Sequence, residues 1–134
     1  MSSFTQNEID YFGSVLLGRI ATVGRDGTPH IAPVGMFSYN ADLDTIDVGG
    51  HDLTNTKKFR DAARSGRAAF IVDDLPSTDP WQPRGVEVRG RAEAIEGPEP
   101  LIHIHPERIV AWGIDTGSFQ RNSRSVEGPE TSSK

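Results

Sequence analysis

The sequence contains no cysteine, which excludes disulfides, thiolate nucleophiles, iron–sulfur clusters and cysteine-based zinc sites together. It has no excess of positive charge. Its 14 Lys and Arg stand against 19 Asp and Glu, a formal net charge of −5, whereas a general nucleic-acid binder needs a basic surface. No apolar run approaches the ~18 residues of a membrane-crossing helix. The opening Met1-Ser2-Ser3-Phe4-Thr5 has neither the basic start nor the apolar centre of a signal peptide. No Gly-x-Gly-x-x-Gly or Walker spacing occurs, which argues against a Rossmann or P-loop site. These absences predict a cytoplasmic domain with no nucleic-acid partner and no membrane span. A length of 134 residues supports one domain. A chain of that size buries roughly two-thirds of its unfolded surface and needs no staple.

Two segments carry helix signals. Thr5-Gln6-Asn7-Glu8 is a capping box, followed by Ile9, Phe12 and Leu16 as an apolar stripe, with Gly18 as the expected stop. A second helix is predicted over about Thr54 to Ser65, with Asp52 or Thr54 as N-cap and Gly66 beyond its end. Phe59, Ala62 and Ala63 would form its buried face.

The rest reads as strands and turns. Arg25-Asp26-Gly27-Thr28 is a hairpin turn between Gly18–Gly24 and Pro29–Tyr39. Pro33 and Gly35 within the second of these suggest an edge, a bulge or a close approach of ligand to backbone. Met36 falls on the face expected to meet the core. Thr45–Gly49, Arg67–Val72 and Gly85–Ile95 are further strands. Leu75–Arg84, with three prolines and Trp81, reads as a stiff loop. Pro106 is expected to break Ile102–Ile104 from Ile109–Ile114. The predicted class is mainly β, a small antiparallel barrel of about six strands with two helices, spanning residues 1–115. Residues 116–134 are Ser-, Gly- and Glu-rich and are expected to be a disordered tail.

The total charge conceals an asymmetry. Thr54–Arg67 holds five cations (Lys57, Lys58, Arg60, Arg64, Arg67) against Asp61, a local +4 that leaves −9 for the rest. Lys57 and Lys58 lie at the helix start, where cations oppose the macrodipole. The free N–H groups there suit a phosphate, and Thr56 offers a hydroxyl. A small anionic ligand fits this pattern better than a long polyanion. His103 and His105 share a strand face as metal ligands can, but no further ligand clusters nearby, so packing or surface roles are expected. Asp73 and Asp74 are adjacent and point to opposite faces, a poor acid–base pair. Trp112 is expected in the core or an interface.

Together, Gly18–His30, Thr56–Asp61 followed by Ala68–Asp74, Pro80–Ala92 and His105–Ile114 resemble the pyridoxamine 5'-phosphate oxidase-like split β-barrel proteins, which bind FMN. The last two segments look like the branch that uses the deazaflavin coenzyme F420. The resemblance covers about Phe4 to Ile114. It implies a homodimer with cofactor sites at the interface. Phosphate contacts would come from His51, Thr56, Lys57 and Lys58. The ring would lie along Pro33, Val34, Gly35 and Met36, and Trp81 would line the site from either subunit. The expected activity is F420H2-dependent hydride transfer to an activated unsaturated small molecule. An FMN flavoprotein or pyridoxamine 5'-phosphate oxidase-like enzyme is the alternative, and a non-catalytic F420 carrier is another. Five helix cations plus Arg84, Arg89 and Arg91 exceed what one phosphate needs, which favours the longer anionic F420. No catalytic residue is assigned; His51 or solvent would supply a proton, and no metal is expected.

Overall fold

The computed structural model describes residues 2–115 and 121–127. The elements in chain order are α1 (Gln6–Ser14), β1 (Gly18–Val23), β2 (Pro29–Val34), β3 (Phe37–Asn40), β4 (Thr45–Val48), a 3-10 turn (Leu53–Asn55), α2 (Lys57–Ser65), β5 (Arg67–Thr78), β6 (Trp81–Ile95), β7 (Leu101–Trp112) and β8 (Arg121–Ser125). One antiparallel sheet runs β2-β1-β5-β6-β7-β4-β3, with β8 paired to β7. β2 and β3 stand at opposite ends of that order, yet only Gly35 and Met36 separate them in the chain. That link spans at most about 11 Å, so the sheet must curl until its ends meet. The result is the split barrel that the sequence implied.

Alternate residues of the strands fill the interior. Ile20, Phe70, Val88, Ile104 and Ile46 are almost wholly buried, with Phe59 and Ala62 of α2 closing on them. The bend at Gly35–Met36 resets the alternation of the predicted Pro29–Tyr39 strand. Val34 faces in before it and Phe37 and Tyr39 pack on the core after it, while Met36 is 60% exposed rather than core-facing.

Several local expectations change. The capping box forms as predicted, but α1 ends at Ser14 and Gly18 opens β1. Tyr11 and Phe12 make its buried face, while Leu16, beyond the helix, is exposed. In α2 the 3-10 turn takes up Leu53–Asn55, so Thr56 becomes the N-cap, and Gly66 closes the helix with φ of 69°. Asp61, not Ala63, joins Phe59 and Ala62 on its buried face. The Pro-rich segment is no loop: β5 and β6 continue through it as a long hairpin, paired from Asp74 with Arg84 to Thr78 with Trp81. Prolines are tolerated there because the pairing slips between Asp74 and Ser77, where Pro76 and Pro83 sit, and no third strand flanks the pair among the described residues. Pro106 does not break β7 either. A bulge opposite Arg89 and Gly90 absorbs it, and a side chain at Gly90 would overlap the His105 carbonyl. Inside the expected 116–134 tail, Arg121–Ser125 is a strand of the same sheet, held by the side chain of Arg124; residues 116–120 and 128–134 lie outside the described residues.

Candidate anion-binding cleft

The cleft is built where α2 meets the β1–β2 hairpin. Thr56 makes the helix start here because its hydroxyl oxygen accepts from the Phe59 N–H at 3.3 Å and its proton goes to the Leu53 carbonyl at 2.6 Å. That hydroxyl is therefore committed to capping and is no free phosphate donor. The N–H groups of Lys57 and Lys58, at the first helical positions, have no acceptor within the helix. Facing them are Ile20, Thr22, His30, Ile31 and Ala32, and the space between measures about 340 Å³. At His30 and Lys57 it runs on into a hollow of about 560 Å³ walled by Arg25, Asp26 and Thr28. Among the described residues the first cavity has no carboxylate in its lining.

Asp61 fixes this geometry from behind. It is 1% exposed and receives the Thr22 hydroxyl at 3.1 Å and Arg64 Nη1 at 3.2 Å, with Lys57 Nζ 3.8 Å away. It thus ties α2 to β1 and holds Lys57 towards the cleft. Burial pushes its carboxyl up, but the hydrogen bonds from Arg64 and Thr22 and the charge of Lys57 outweigh this and hold it below the usual carboxylate range. A depressed folded value means the stabilisation is complete above the unfolded value of about 3.9 and is lost as pH falls below it. Asp61→Asn is expected to cost about 2 kcal/mol at neutral pH and to flatten the acid limb of the stability profile. Urea unfolding of both proteins between pH 7 and pH 3 checks this. Parallel acid limbs would show that Asp61 carries no such role.

The predicted site residues divide. Lys57, Lys58 and Thr56 line the cleft. Pro33, Gly35 and Met36 follow Ala32 along the chain as exposed residues that line neither cavity, whereas the Val34 side chain is buried in the core, leaving only its backbone for a ligand. His51 is exposed in the turn before Leu53–Asn55 and does not line the cleft. Trp81 is 64% exposed at the tip of the β5–β6 hairpin.

The supposed surplus of cations is largely paired within the chain. Arg84 grips Asp74 at 2.7 and 3.0 Å, Arg89 grips Glu87 at 2.7 and 3.1 Å, and Arg67 meets Glu107 at 3.0 Å. Arg60 caps the Asn55 carbonyl, and Arg64 bonds Asp61 and the Val23 carbonyl. Among the described residues the cations that line the two cavities are Lys57, Lys58 and Arg25, of which Lys57 also lies 3.8 Å from Asp61. Sequence reasoning passed over Arg25, Thr22, His30 and Asp61. The signal for Asp61 was present, as the single anion among five cations. Elsewhere, His103 Nδ1 lies 2.6 Å from Asp47 and His105 Nε2 lies 3.0 Å from Glu93. Among the described residues no group of three or more His, Asp or Glu side chains could hold a metal ion. No helix among them is long and apolar enough to cross a membrane.

The profile of the pyridoxamine 5'-phosphate oxidase family matches residues 6–127. The chain belongs to that family. A relative from Streptomyces rimosus, a 5a,11a-dehydrotetracycline/5a,11a-dehydrooxytetracycline reductase, is 39% identical over 138 aligned positions, covering 93% of this chain and 96% of its own. Among solved structures, a conserved hypothetical protein of Mycobacterium tuberculosis superposes with a TM-score of 0.67 at 21% identity, covering 83% of this chain and 86% of that one. The FAD binding protein of Mycobacterium smegmatis superposes with a TM-score of 0.62 at 23% identity, covering 92% of this chain and 100% of that one. At such identities these two establish the shared family fold and nothing finer.

Proposed function

We propose that this chain is a cytoplasmic reductase that transfers a hydride from reduced coenzyme F420 to an activated carbon–carbon double bond of a small molecule. The observation that carries the reading is the reductase relative, alike over nearly the whole of both chains. The cleft supports the cofactor. Its two lysines, helix N-terminus and carboxylate-free lining suit a phosphate or phosphodiester. The adjoining hollow at Arg25 suits a second anionic stretch, although Asp26 shares it. FMN, with one phosphate, would use only the first part.

When bound, the reduced deazaflavin supplies the hydride, and the acceptor gains a proton as well. The chain's own work is binding and alignment. Lys57 and Lys58 hold the anionic end, Pro33 and Gly35 leave the β2 backbone open beside the ring, and Ile31 and Met36 provide apolar surface that excludes water. A homodimer belongs to the same reading. The outer face of β2, β1 and β5 presents Ala21, Ile31, Ala69 and Ile71 around a shallow groove, and Ile31 is 70% exposed. Among the described residues β2 pairs only with β1, which leaves its other edge unpaired.

Anaerobic turnover tests the function. The protein should oxidise F420H2 in the presence of a dehydrotetracycline or a related polycyclic enone, without added FMN. Turnover that requires FMN would favour the FMN flavoprotein. Tight F420 binding without turnover of any enone, quinone or tetrapyrrole would favour the carrier.

A further inference from the structure

His30 and Lys57 are the residues common to both hollows, so they form the neck between them. They stand on opposite walls. Lys57 opens α2, and His30 lies in β2, paired with Thr22 of β1. The neck is braced from behind. The Thr22 hydroxyl bonds Asp61 of α2, and Arg64 of α2 bonds the Val23 carbonyl of β1. The hairpin wall is thus tied to the helix on either side of the position that carries His30.

The chain makes room for the imidazole. A Cβ at Gly24 would lie 2.6 Å from His30 Nε2 and 3.0 Å from its Cδ2, with the Thr28 carbonyl next at 3.2 Å. A larger residue at Gly24 would therefore push the ring aside. Gly24 is not one of the glycines with positive φ, so its backbone does not itself demand glycine. His103 and His105 each spend a ring nitrogen on a carboxylate, whereas the half-buried His30 ring has no hydrogen-bond partner among the described residues. The charged groups around it are Lys57 and Lys58 from α2 and Arg25 and Asp26 from the turn, with Asp61 behind Thr22. The Thr28 N–H holds the Asp26 carboxyl below the usual carboxylate range, so Asp26 keeps its charge where an imidazole titrates.

We infer that His30 donates to the phosphate group of the bound cofactor from the hairpin side, clamping it across the neck against Lys57. This rests on the cofactor reading above and adds a binding residue to it. It also sets which phosphate ester the neck prefers. A phosphodiester at the neck has a hollow for each of its two substituents, whereas a phosphomonoester fills one and leaves the other empty. Gly24 becomes a positioning residue, because it admits the ring that makes the contact. An imidazole, unlike a lysine, changes charge between about pH 5 and pH 8, so the clamp tightens on acidification.

Fluorescence titration with F420 tests this on four proteins. His30→Ala should weaken binding about 10-fold at neutral pH, the loss of one hydrogen bond to a charged group. Gly24→Ala should weaken it as much, although it removes no group that binds an anion. In the His30→Ala background the added methyl has room, so Gly24→Ala should cost nothing further. His30→Gln should recover part of the loss, because its amide N–H still donates. Between pH 8 and pH 5.5 the wild-type affinity should rise several-fold relative to that of His30→Gln, a comparison that cancels any titration of the cofactor. An unaltered affinity in His30→Ala, or parallel pH profiles for wild type and His30→Gln, would overturn the inference. Failure of the wild-type protein to bind F420 would instead remove the cofactor reading itself.

Discussion

Arg124→Ala is expected to destabilise the protein by about 3 kcal/mol, in a segment whose composition reads as disordered. Glu8 is the glutamate of the α1 capping box and its side chain is wholly buried. Arg124 reaches it from β8 with two bonds, 2.6 and 3.1 Å, and also donates to the Ser3 carbonyl at 2.9 Å. Removing the guanidinium leaves a buried carboxylate with the Thr5 N–H, at 2.9 Å, among its few remaining donors. Stranding one charge of a buried pair costs far more than the pair contributes against apolar replacements. Arg124→Lys should recover part of the loss, because it restores the charge without the fork. Glu8→Gln in the Arg124→Ala background should recover part as well, because an amide tolerates burial better than a lone carboxylate. Urea midpoints of the four proteins measure this. An Arg124→Ala protein within 0.5 kcal/mol of wild type, the ordinary range of a surface substitution, would show that β8 does not dock as described.

Replacing Lys57 and Lys58 together is expected to weaken F420 binding about 100-fold with little change in stability. Each lysine would contribute a charge-assisted contact worth about 1.4 kcal/mol to the anionic group, and about 2.8 kcal/mol in sum corresponds to about 100-fold. Both positions lie in the first turn of α2, where cations oppose the helix dipole, so their removal relieves rather than strains the helix. The change at Lys57 also strips Asp61 of its weakest partner, at 3.8 Å, while Thr22 and Arg64 remain. The loss should shrink with added salt as screening weakens the wild-type contact. An unaltered dissociation constant at low salt would remove the anion-site assignment.

Much of this architecture was legible in the sequence. The capping box at Thr5–Glu8 and the Asp26-Gly27 turn are local chemistry, and local chemistry decided those elements. The cationic α2 stood out because it breaks the electrostatic preference of helices. What the sequence concealed were effects of partners distant in the chain. Prolines read as loop, yet Pro76 and Pro83 sit where the β5–β6 pairing slips between Asp74 and Ser77, in a ribbon that no third described strand flanks. Pro106 stays in β7 because Gly90, on another strand, leaves room for its bulge. Arg121–Ser125 has little apolar content and becomes a strand through pairing with β7 and through Glu8, more than a hundred positions earlier. In the site, counting cations overstated the free charge, because Arg84, Arg89 and Arg67 each have a carboxylate partner that composition alone cannot assign.

The proposed reductase rests on F420 binding in the cleft between α2 and the β1–β2 hairpin. Fluorescence titration of the purified wild-type protein with F420, beside an FMN titration and the absorption spectrum of the protein as isolated, tests it most directly. The expected result is a colourless protein, saturable F420 binding at micromolar concentration with one site per chain, and much weaker binding of FMN. A yellow protein carrying tightly bound FMN, with no response to F420, would contradict it.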